Sequence, residues 1–407
     1  MSNNYKWLGG IPDAQFAAGR LKAIRQRLQK DIGPGRDGKL LLATWNLRDF
    51  DSDKFGWGHR EKQSMYYIAE IIAAFDLVAL QEIGEDLDPF IDLMGILGKD
   101  WDFIVTDVTE GQPGNGERMA FVFRTSRVWF RHIAGEVVLP QGQLIVPAAK
   151  VKSPKAQEVA PTAPVAPVKG TVQFARTPFL VSFQAGWFKF SLCTVHIYYG
   201  KASGPQLTQR IEEIRTLVDF FAARQDQEST YQRDKAIKEA GKTVKKLAAA
   251  KAATYGDNYI LLGDFNVVSP KHKTMEALAR KDFVVPEPID GTKLTAEQRK
   301  HFYDQIAVRL AARGEGDQGA PKFTVERGGV VNVFADVFTD SKEDRARYAA
   351  LVPEDDTEPN EQFRAKTAEE RYEKWRTWQM SDHDPLWIEI AIDYTDDYLE
   401  RIVNPPV

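Results

Sequence analysis

Short apolar runs alternate with amphipathic stretches along most of the chain. Residues 13–30 and 60–75 repeat apolar side chains at the three- and four-residue spacing of a helix that buries one face. Helices that recur between strands predict a packed, layered α/β fold. Apolar runs predict strands at residues 40–45, 77–80, 102–106, 119–124, 127–131, 178–184, 187–195, 259–263, 304–308 and 330–334.

Three segments depart from this pattern. Residues 145–170 are rich in alanine and proline, which predicts an extended loop. Residues 206–252 predict one long helix or a helical hairpin, whose part 222–252 is basic, and residues 341–378 predict a charged, largely helical excursion. We expect an N-terminal helical extension, one domain that contains these three insertions, and a C-terminal tail, at residues 1–37, 38–395 and 396–407.

Composition narrows the class of protein and of partner. Of the 407 residues, 43% are hydrophobic and 28% are charged, which is typical of a soluble globular protein. The net charge of −4 provides no overall positive field, so nucleic-acid binding would need a local basic surface. A single cysteine, Cys193, excludes an internal disulfide and is typical of a reducing compartment. No apolar run has membrane-spanning length and Met1–Lys6 lacks a secretion signal, so we expect a cytoplasmic protein.

A polar or acidic residue directly follows several of the predicted strands. Strand ends at one edge of a sheet form a natural site, because the scaffold holds the loops there. Their carboxylate and carboxamide oxygens are hard ligands, which suit Mg²⁺ or Mn²⁺ better than zinc. The alternative for residues 380–385 is an ordinary turn in which Ser381 and Asp382 bond their own backbone and His383 is incidental. The strand-end residues are Asn46, Glu82, His196, Asp264, Asn266, Asp382 and His383.

Lysines recur at helical spacing in the basic insertion. They include Lys235, Lys238, Lys242 and Lys245. One interpretation is a solvated helix face. The other is a track for a phosphate backbone, because this helix follows the His196 strand and precedes Asp264.

Five short motifs occur in a specific order and resemble one known superfamily. They are Thr44–Leu47, Leu80–Ile83, Thr194–His196, Leu262–Asn266 and Ser381–Pro385. Together they resemble the endonuclease/exonuclease/phosphatase superfamily. The resemblance implies a four-layer α/β sandwich, with two central mixed β-sheets flanked by helices, and a metal-dependent phosphoesterase site.

Within the superfamily, three further stretches resemble the deoxyribonuclease I-like pattern. Residues 116–121 resemble the strand whose glutamate pairs with the first active-site histidine, which implies that Glu117 orients His196. Residues 303–306 resemble the stretch with the second pairing acid, so Asp304 would orient His383. The strand at 176–181 resembles the one that carries a phosphate-contacting arginine, here Arg176. The chain departs from that pattern at two positions. Where the pattern has an arginine and a tyrosine that contact a groove of the DNA duplex, this chain has Gly84 and Asn115.

The resemblance implies a role for each residue. His383 would be the general base toward water, and His196 would donate a proton to the leaving oxygen or to a phosphate oxygen. The number of metal ions, one or two, stays open. The implied catalytic residues are His383, Asp304, His196, Glu117, Asp264 and Asn266; the phosphate-binding residues are Arg176, Asn266 and His196; the ligands of Mg²⁺ or Mn²⁺ are Asn46, Glu82, Asp264 and Asp382.

Three functions follow from these predictions. The first is a metal-dependent phosphodiesterase that hydrolyses nucleic acid, with a DNA endonuclease favoured. The second is a phosphomonoesterase that acts on inositol phosphates, phospholipid headgroups or nucleotides. The third is a binding module that has kept the fold without hydrolysis. The sequence predicts a nucleic-acid partner, with DNA favoured, and leaves protein partners open.

Overall fold

A computed structural model describes residues 4–33, 37–108, 116–140, 145, 173–253, 255–291, 302–311 and 323–403. Its helices are α1 (Ala14–Asp31), α2 (Lys62–Ile72), α3 (Asp88–Leu97), α4 (Gly204–Ala240), α5 (Val244–Ala252), α6 (Lys273–Leu278), α7 (Lys342–Tyr348), α8 (Ala368–Gln379) and α9 (Thr395–Val403). Its strands are β1 (Lys39–Phe50), β2 (Leu77–Ile83), β3 (Trp101–Val105), β4 (Arg118–Arg124), β5 (Trp129–Glu136), β6 (Phe179–Ala185), β7 (Phe188–His196), β8 (Asn258–Asp264), β9 (Asp304–Arg309), β10 (Val325–Val330) and β11 (Leu386–Ala391).

The strands form two mixed sheets. The six-stranded sheet has the order β10-β11-β1-β2-β4-β3, and the five-stranded sheet has the order β5-β6-β7-β8-β9. Each sheet contains one parallel pair, β1 with β2 and β7 with β8, while the other neighbours run antiparallel. A parallel pair brings two carboxyl ends to the same edge, so each sheet presents two strand ends side by side.

Successive side chains of a strand point to opposite faces of the sheet. Both faces are buried here, which explains why the strands are continuous apolar runs in the sequence. In β1, Leu40 and Leu42 face the apolar cluster between the two sheets. Leu41, Ala43 and Trp45 face the cluster under α1, α2, α3 and α8. The outer face of the five-stranded sheet packs against α4 and α6 in a third cluster. Strands buried on both faces therefore give the predicted four layers of helix, sheet, sheet and helix.

One predicted strand is wrong. Residues 330–334 were expected to be a strand, but β10 ends at Val330. The ladder with β11 stops there because Val331 N–H donates to the carbonyl of Pro385, which has no N–H to donate back. The real strand contains Gly328, which resembles a turn signal in the sequence. A Cβ at Gly328 would lie 2.6 Å from Ile289 Cγ2, so close packing requires the glycine.

The helices agree with the sequence more closely. The stretch at 206–252 is a hairpin, in which α4 and α5 are joined through Gly241. The 341–378 excursion consists of α7 and α8 with irregular chain between them. Helices α3 and α6 were not predicted from the sequence. Most of the predicted loop at 145–170 lies outside the described residues. The predicted tail contains α9.

The N-terminal extension packs closely against the sandwich. Leu21, Ile24 and Leu28 of α1 are buried in the same apolar cluster as α2. Arg25 Nε donates to Glu70 of α2 at 2.7 Å, which adds a polar contact to the packing. The domain boundary near residue 37 stays a prediction.

Candidate functional site

The alternation that builds the core also determines which polar residues meet. Leu192, Ile260 and Ile306 all face the cluster between the sheets. His196, Asp264 and Asp304 lie an even number of positions from them on the same strands, and so share that inner face. Asn46 lies on the inner face of β1 for the same reason. Pairing then aligns the ends, since His196 is opposite Asp264 and Asp264 is opposite Asp304.

The backbone departs from regular strand geometry at three of these ends. Glu82 has φ +60 and Asn266 has φ +50, a left-handed conformation that residues other than glycine adopt rarely. The pairing of β1 with β2 shifts register after Asn46. Gly263 has φ +131, and a Cβ there would collide with the carbonyl of Val195. Glycine thus allows β7 and β8 to approach closely one residue before Asp264.

Asn46, Glu82 and Asp264 form the centre of the site. Asn46 Nδ2 donates to Glu82 Oε1 at 2.8 Å and to Asp264 Oδ2 at 3.4 Å. Glu82 Oε2 accepts the Asp49 N–H at 2.8 Å. Asp264 Oδ1 accepts the Asn266 N–H at 2.8 Å. Three strand ends from two sheets therefore present carboxylate and carboxamide groups to one small volume.

His196 belongs to a buried group with Glu117 and Arg176. His196 Nδ1 lies 2.9 Å from Glu117 Oε1, and Arg176 Nε forms an ion pair with the same oxygen. A carboxylate can only accept, so Nδ1 carries the proton and Nε2 is left for the centre of the site. That Nε2 lies 3.7 Å from Glu82 Oε1 and 3.5 Å from Asp264 Oδ2.

His383 is oriented in the same way from the other side. Its Nδ1 lies 2.7 Å from Asp304 Oδ2, and its Nε2 lies 3.9 Å from Asp264 Oδ2. The backbone is fixed as well, because Trp45 Nε1 donates to the His383 carbonyl at 2.9 Å. Ser381 Oγ accepts the His383 N–H at 2.9 Å, so the turn predicted as an alternative is present and serves to hold the histidine.

Burial and charge shift the pKa values of the central groups. Burial opposes ionisation of Glu82, but the charge of His196 and the hydrogen bonds from Asn46 and Asp49 lower its pKa to about 2. Burial raises the pKa of Asp264 against the opposing charge of His383. Burial alone would lower the pKa of both imidazoles. Glu117 nevertheless raises the pKa of His196. Asp304 raises that of His383 well above its ordinary value.

The donor set fits a hard divalent cation. Glu82, Glu117 and His196 offer ligand atoms within 4.8 Å of one another. Glu117 already forms ion pairs with His196 and Arg176, so a cation there would have to displace an arginine. The oxygens of Glu82 and Asp264 converge without that conflict, and few protein ligands are needed because Mg²⁺ keeps several waters.

The remaining predicted residues have contacts of other kinds. Asp382 is 47% exposed at its side chain and lies 3.7 Å from Arg48 Nε. Asn266 Nδ2 donates to the carbonyl of Ile197 at 2.7 Å. Arg176 is buried in its ion pair with Glu117. The predicted roles of Asp382 as a ligand, and of Asn266 and Arg176 at a phosphate, stay predictions.

Three neighbours of the site were given no role from the sequence. Gln81 Nε2 donates to Thr194 Oγ1 at 2.8 Å, which ties the two sheets together beneath the site. Asp49 pairs with Lys54 at 2.9 Å beside Glu82. Glu213 is buried and accepts the Ala175 N–H at 3.2 Å, next to Arg176. No motif marked Asp49 or Glu213, since each acts through a contact with a residue more than 30 positions away.

The lysines of the hairpin lie away from the site. Gln225 of α4 donates to the carbonyl of Asp257, and Ser229 donates to that of Tyr255, at the start of β8. Asp264 is at the other end of β8. The helix beyond Ser229 therefore extends past the edge opposite the site, which favours a solvated face over a phosphate track. The lysines of the hairpin that follow Ser229 include Lys235, Lys238, Lys242, Lys246 and Lys251.

Searches of known proteins found similar solved structures. One is TDP2 of D. rerio complexed with a single-strand DNA product, with 12% identity over 87% of this chain and 99% of that chain and a TM-score of 0.44. The second is the human nocturnin catalytic domain with bound sulfate, with 11% identity over 88% of this chain and 95% of that chain and a TM-score of 0.46. The third is an endonuclease/exonuclease/phosphatase from Bacteroides vulgatus, with 13% identity over 87% of this chain and 99% of that chain and a TM-score of 0.41. The search of curated proteins found no match. Among the helices that the structure describes, none has the length and apolar character to span a membrane.

The family comparison covers most of the site. The model of the endonuclease/exonuclease/phosphatase family matches residues 43–282, which is more than half of the chain. The matched region includes Asn46, Glu82, Glu117, His196 and Asp264. The chain therefore belongs to the endonuclease/exonuclease/phosphatase family.

Proposed function

We propose that this protein is a divalent-metal-dependent phosphodiesterase that hydrolyses nucleic acid, with DNA endonuclease action favoured. One observation carries the proposal: the Nε2 atoms of His196 and His383 lie 3.5 and 3.9 Å from the same oxygen of Asp264. Each histidine has its Nδ1 held by a separate carboxylate. Two imidazoles that face one centre suit a reaction that takes a proton on one side and gives one on the other.

Each histidine has one proposed task. Hydrolysis of a phosphodiester needs a water that attacks in line with the leaving oxygen, so base and acid belong on opposite sides of phosphorus. His383 Nε2 would accept the proton of the attacking water. His196 Nε2 would donate to the leaving oxygen or to a phosphate oxygen. Asp304 and Glu117 would hold the two rings and stabilise their charged forms.

Glu82 and Asp264 would hold Mg²⁺ or Mn²⁺ through their carboxylate oxygens, and Asn46 would contribute its Oδ1, which accepts the Arg48 N–H in this structure. The ion, when bound, supplies positive charge that polarises the phosphate and offsets the charge of the developing alkoxide. The same charge would favour the ionised form of Asp264 and the neutral form of His383, the form that a base requires. Asp382 stays a proposed ligand, and its half-exposed side chain lies 3.7 Å from Arg48 Nε. Asn266 and Arg176 would contact the substrate phosphate.

A substrate panel with metal control tests the proposal. Protein treated with EDTA and then given Mg²⁺ or Mn²⁺ is assayed on plasmid DNA, single-stranded DNA, RNA, inositol phosphates and mononucleotides. We expect metal-dependent cleavage of nucleic acid, seen as plasmid nicking and shorter oligonucleotides. Release of inorganic phosphate from the small esters alone would indicate a phosphomonoesterase instead. Lack of any hydrolysis by metal-loaded protein would indicate a binding module.

A further inference from the structure

A short row of aromatic rings leads from His383 to the surface. The ring of Tyr303 lies 6.0 Å from that of His383, and the ring of Tyr199 lies 6.1 Å from that of Tyr303 at an angle of 71°. Tyr199 is 44% exposed. Both tyrosines adjoin predicted site residues in the chain, since Tyr303 precedes Asp304 and Tyr199 follows His196 by three positions. The row thus begins at the proposed general base and ends at solvent.

Arg210 holds the outer tyrosine in place. The Arg210 side chain is fully buried, and its guanidinium lies 4.5 Å from the centre of the Tyr199 ring. The same guanidinium donates to the carbonyls of Tyr199, of Lys201 at 3.0 Å and of Asn266 at 2.9 Å. One cation therefore ties the loop after β7 to the turn after β8. It also covers one face of the exposed ring.

We propose that Tyr199 is a stacking platform for a nucleobase that flanks the scissile phosphate. An aromatic ring that is rigidly mounted, with a cation behind it and part of its surface in water, presents a π-face to any planar base. Such stacking is tolerant of sequence and contributes to binding whichever base is present. The inference rests on the proposed function, because it places the base next to a phosphate held between His196 and His383.

The position of the platform gives a specific expectation for kinetics. Tyr199 does not contact the centre of the site directly, so its loss should weaken substrate binding more than the chemical step. Removing one stacking contact should raise KM by about 10-fold. A base is needed for the effect, so an oligonucleotide with abasic residues around the cleaved phosphate should be far less sensitive.

The experiment compares Tyr199→Ala, Tyr199→Phe and the wild-type protein on two matched oligonucleotides, one with bases and one abasic at the flanking positions. A mononucleotide arm separates a free nucleotide from a base within a strand. Tyr231→Ala is the control, because Tyr231 is a 70% exposed tyrosine on the distant part of α4. We expect Tyr199→Ala to raise KM on the base-containing strand only, and Tyr199→Phe to behave like the wild type. Equal effects on both strands, or none, would overturn the platform.

A binding arm separates failure of the platform from failure of the proposed function. Anisotropy of a fluorescein-labelled oligonucleotide is measured with His383→Ala protein in Mg²⁺, with and without Tyr199→Ala. If the wild type binds DNA without cleaving it, the hydrolase proposal fails, and weaker binding by the Tyr199→Ala protein still supports the platform. If Tyr199→Ala leaves both the KM of cleavage and the affinity measured by anisotropy unchanged, the platform fails and the hydrolase proposal stands.

Discussion

The two histidine–carboxylate pairs are built alike and surrounded differently. Each joins the two sheets, because His196 ends β7 of the five-stranded sheet and Glu117 precedes β4 of the six-stranded sheet. His383 precedes β11 of the six-stranded sheet, and Asp304 begins β9 of the five-stranded sheet. The first pair is enclosed with the cation of Arg176, whereas the second lies beside Tyr303 and the half-exposed Asp382.

This difference indicates how one centre can hold an acid and a base. Glu117 shares its charge with Arg176, which partly cancels its effect and limits the rise in the pKa of His196. His383 is surrounded by the acids Asp304, Asp264 and Asp382, which raise its pKa further despite burial. The neighbouring charges, more than the imidazoles themselves, distinguish the two histidines.

Loss of His383 should have the largest effect. We expect His383→Ala to lower kcat by roughly 10²–10⁴-fold, the usual contribution of a positioned proton-transfer group. Circular dichroism and the melting temperature should stay close to those of the wild type. The matched control is His59→Ala, whose side chain is 69% exposed, and it should leave kcat unchanged. A similar kcat for His383→Ala and the control would remove His383 from the mechanism.

The orienting carboxylates should have smaller effects that differ in their pH dependence. Asp304→Asn and Glu117→Gln should each lower kcat by roughly 10–100-fold, as is typical for partners that orient a histidine. Asp304 raises the pKa of His383, so its loss should move the acidic limb of the kcat/KM profile to lower pH. Glu117 raises the pKa of His196, so its loss should move the alkaline limb to lower pH. The opposite assignment of limbs would exchange the acid and the base.

Glu213 should affect stability in a defined pH range. Burial raises its pKa from 4.5 to about 7, against hydrogen bonds from Ala175 and Tyr198. A raised folded-state pKa gives stability that is complete below pH 4.5 and lost as the pH rises through about 7. Melting curves from pH 5 to 8 should therefore show that the melting temperature of Glu213→Gln rises relative to that of the wild type as the pH rises. The half-exposed neighbour in Glu212→Gln is the control, and an identical pH trend in both variants would contradict the shift.

The smallest expected effect on nucleic-acid binding is that of replacing lysines in the helical hairpin. Replacing Lys235, Lys238 and Lys242 with glutamine should leave the salt dependence of oligonucleotide binding nearly unchanged, because these residues extend past the edge opposite Asp264. Binding measured across a salt series checks this. A slope reduced by about one unit per lysine would show that the hairpin contacts phosphates after all.

The sequence predicted the layered fold and the central residues because both depend on the same two-residue alternation. His196 and Asp264 could be placed together, since each directly ends an apolar strand whose inner face is fixed by the core. The strand β10 was placed wrongly because Gly328 is required by packing that no local pattern reveals. The pairing of His196 with Glu117 came from resemblance rather than from pattern, since these residues are far apart in the chain.

The parts of the site that were missed share one physical property. Tyr199 and Arg210 meet through a loop and a helix, and their positions follow from tertiary contacts alone. Asp49 comes near Glu82 because the pairing of β1 with β2 shifts register after Asn46. Irregular backbone of this kind follows no period in the sequence, so no sequence pattern identifies such residues.

The most direct test of the central claim is anomalous diffraction from crystals grown with Mn²⁺. We expect one peak or two adjacent peaks in contact with the carboxylates of Glu82 and Asp264, between the rings of His196 and His383. We expect the peak to be lost in Glu82→Gln crystals. A peak elsewhere, or no peak under conditions in which the protein cleaves DNA, would contradict the proposed metal centre.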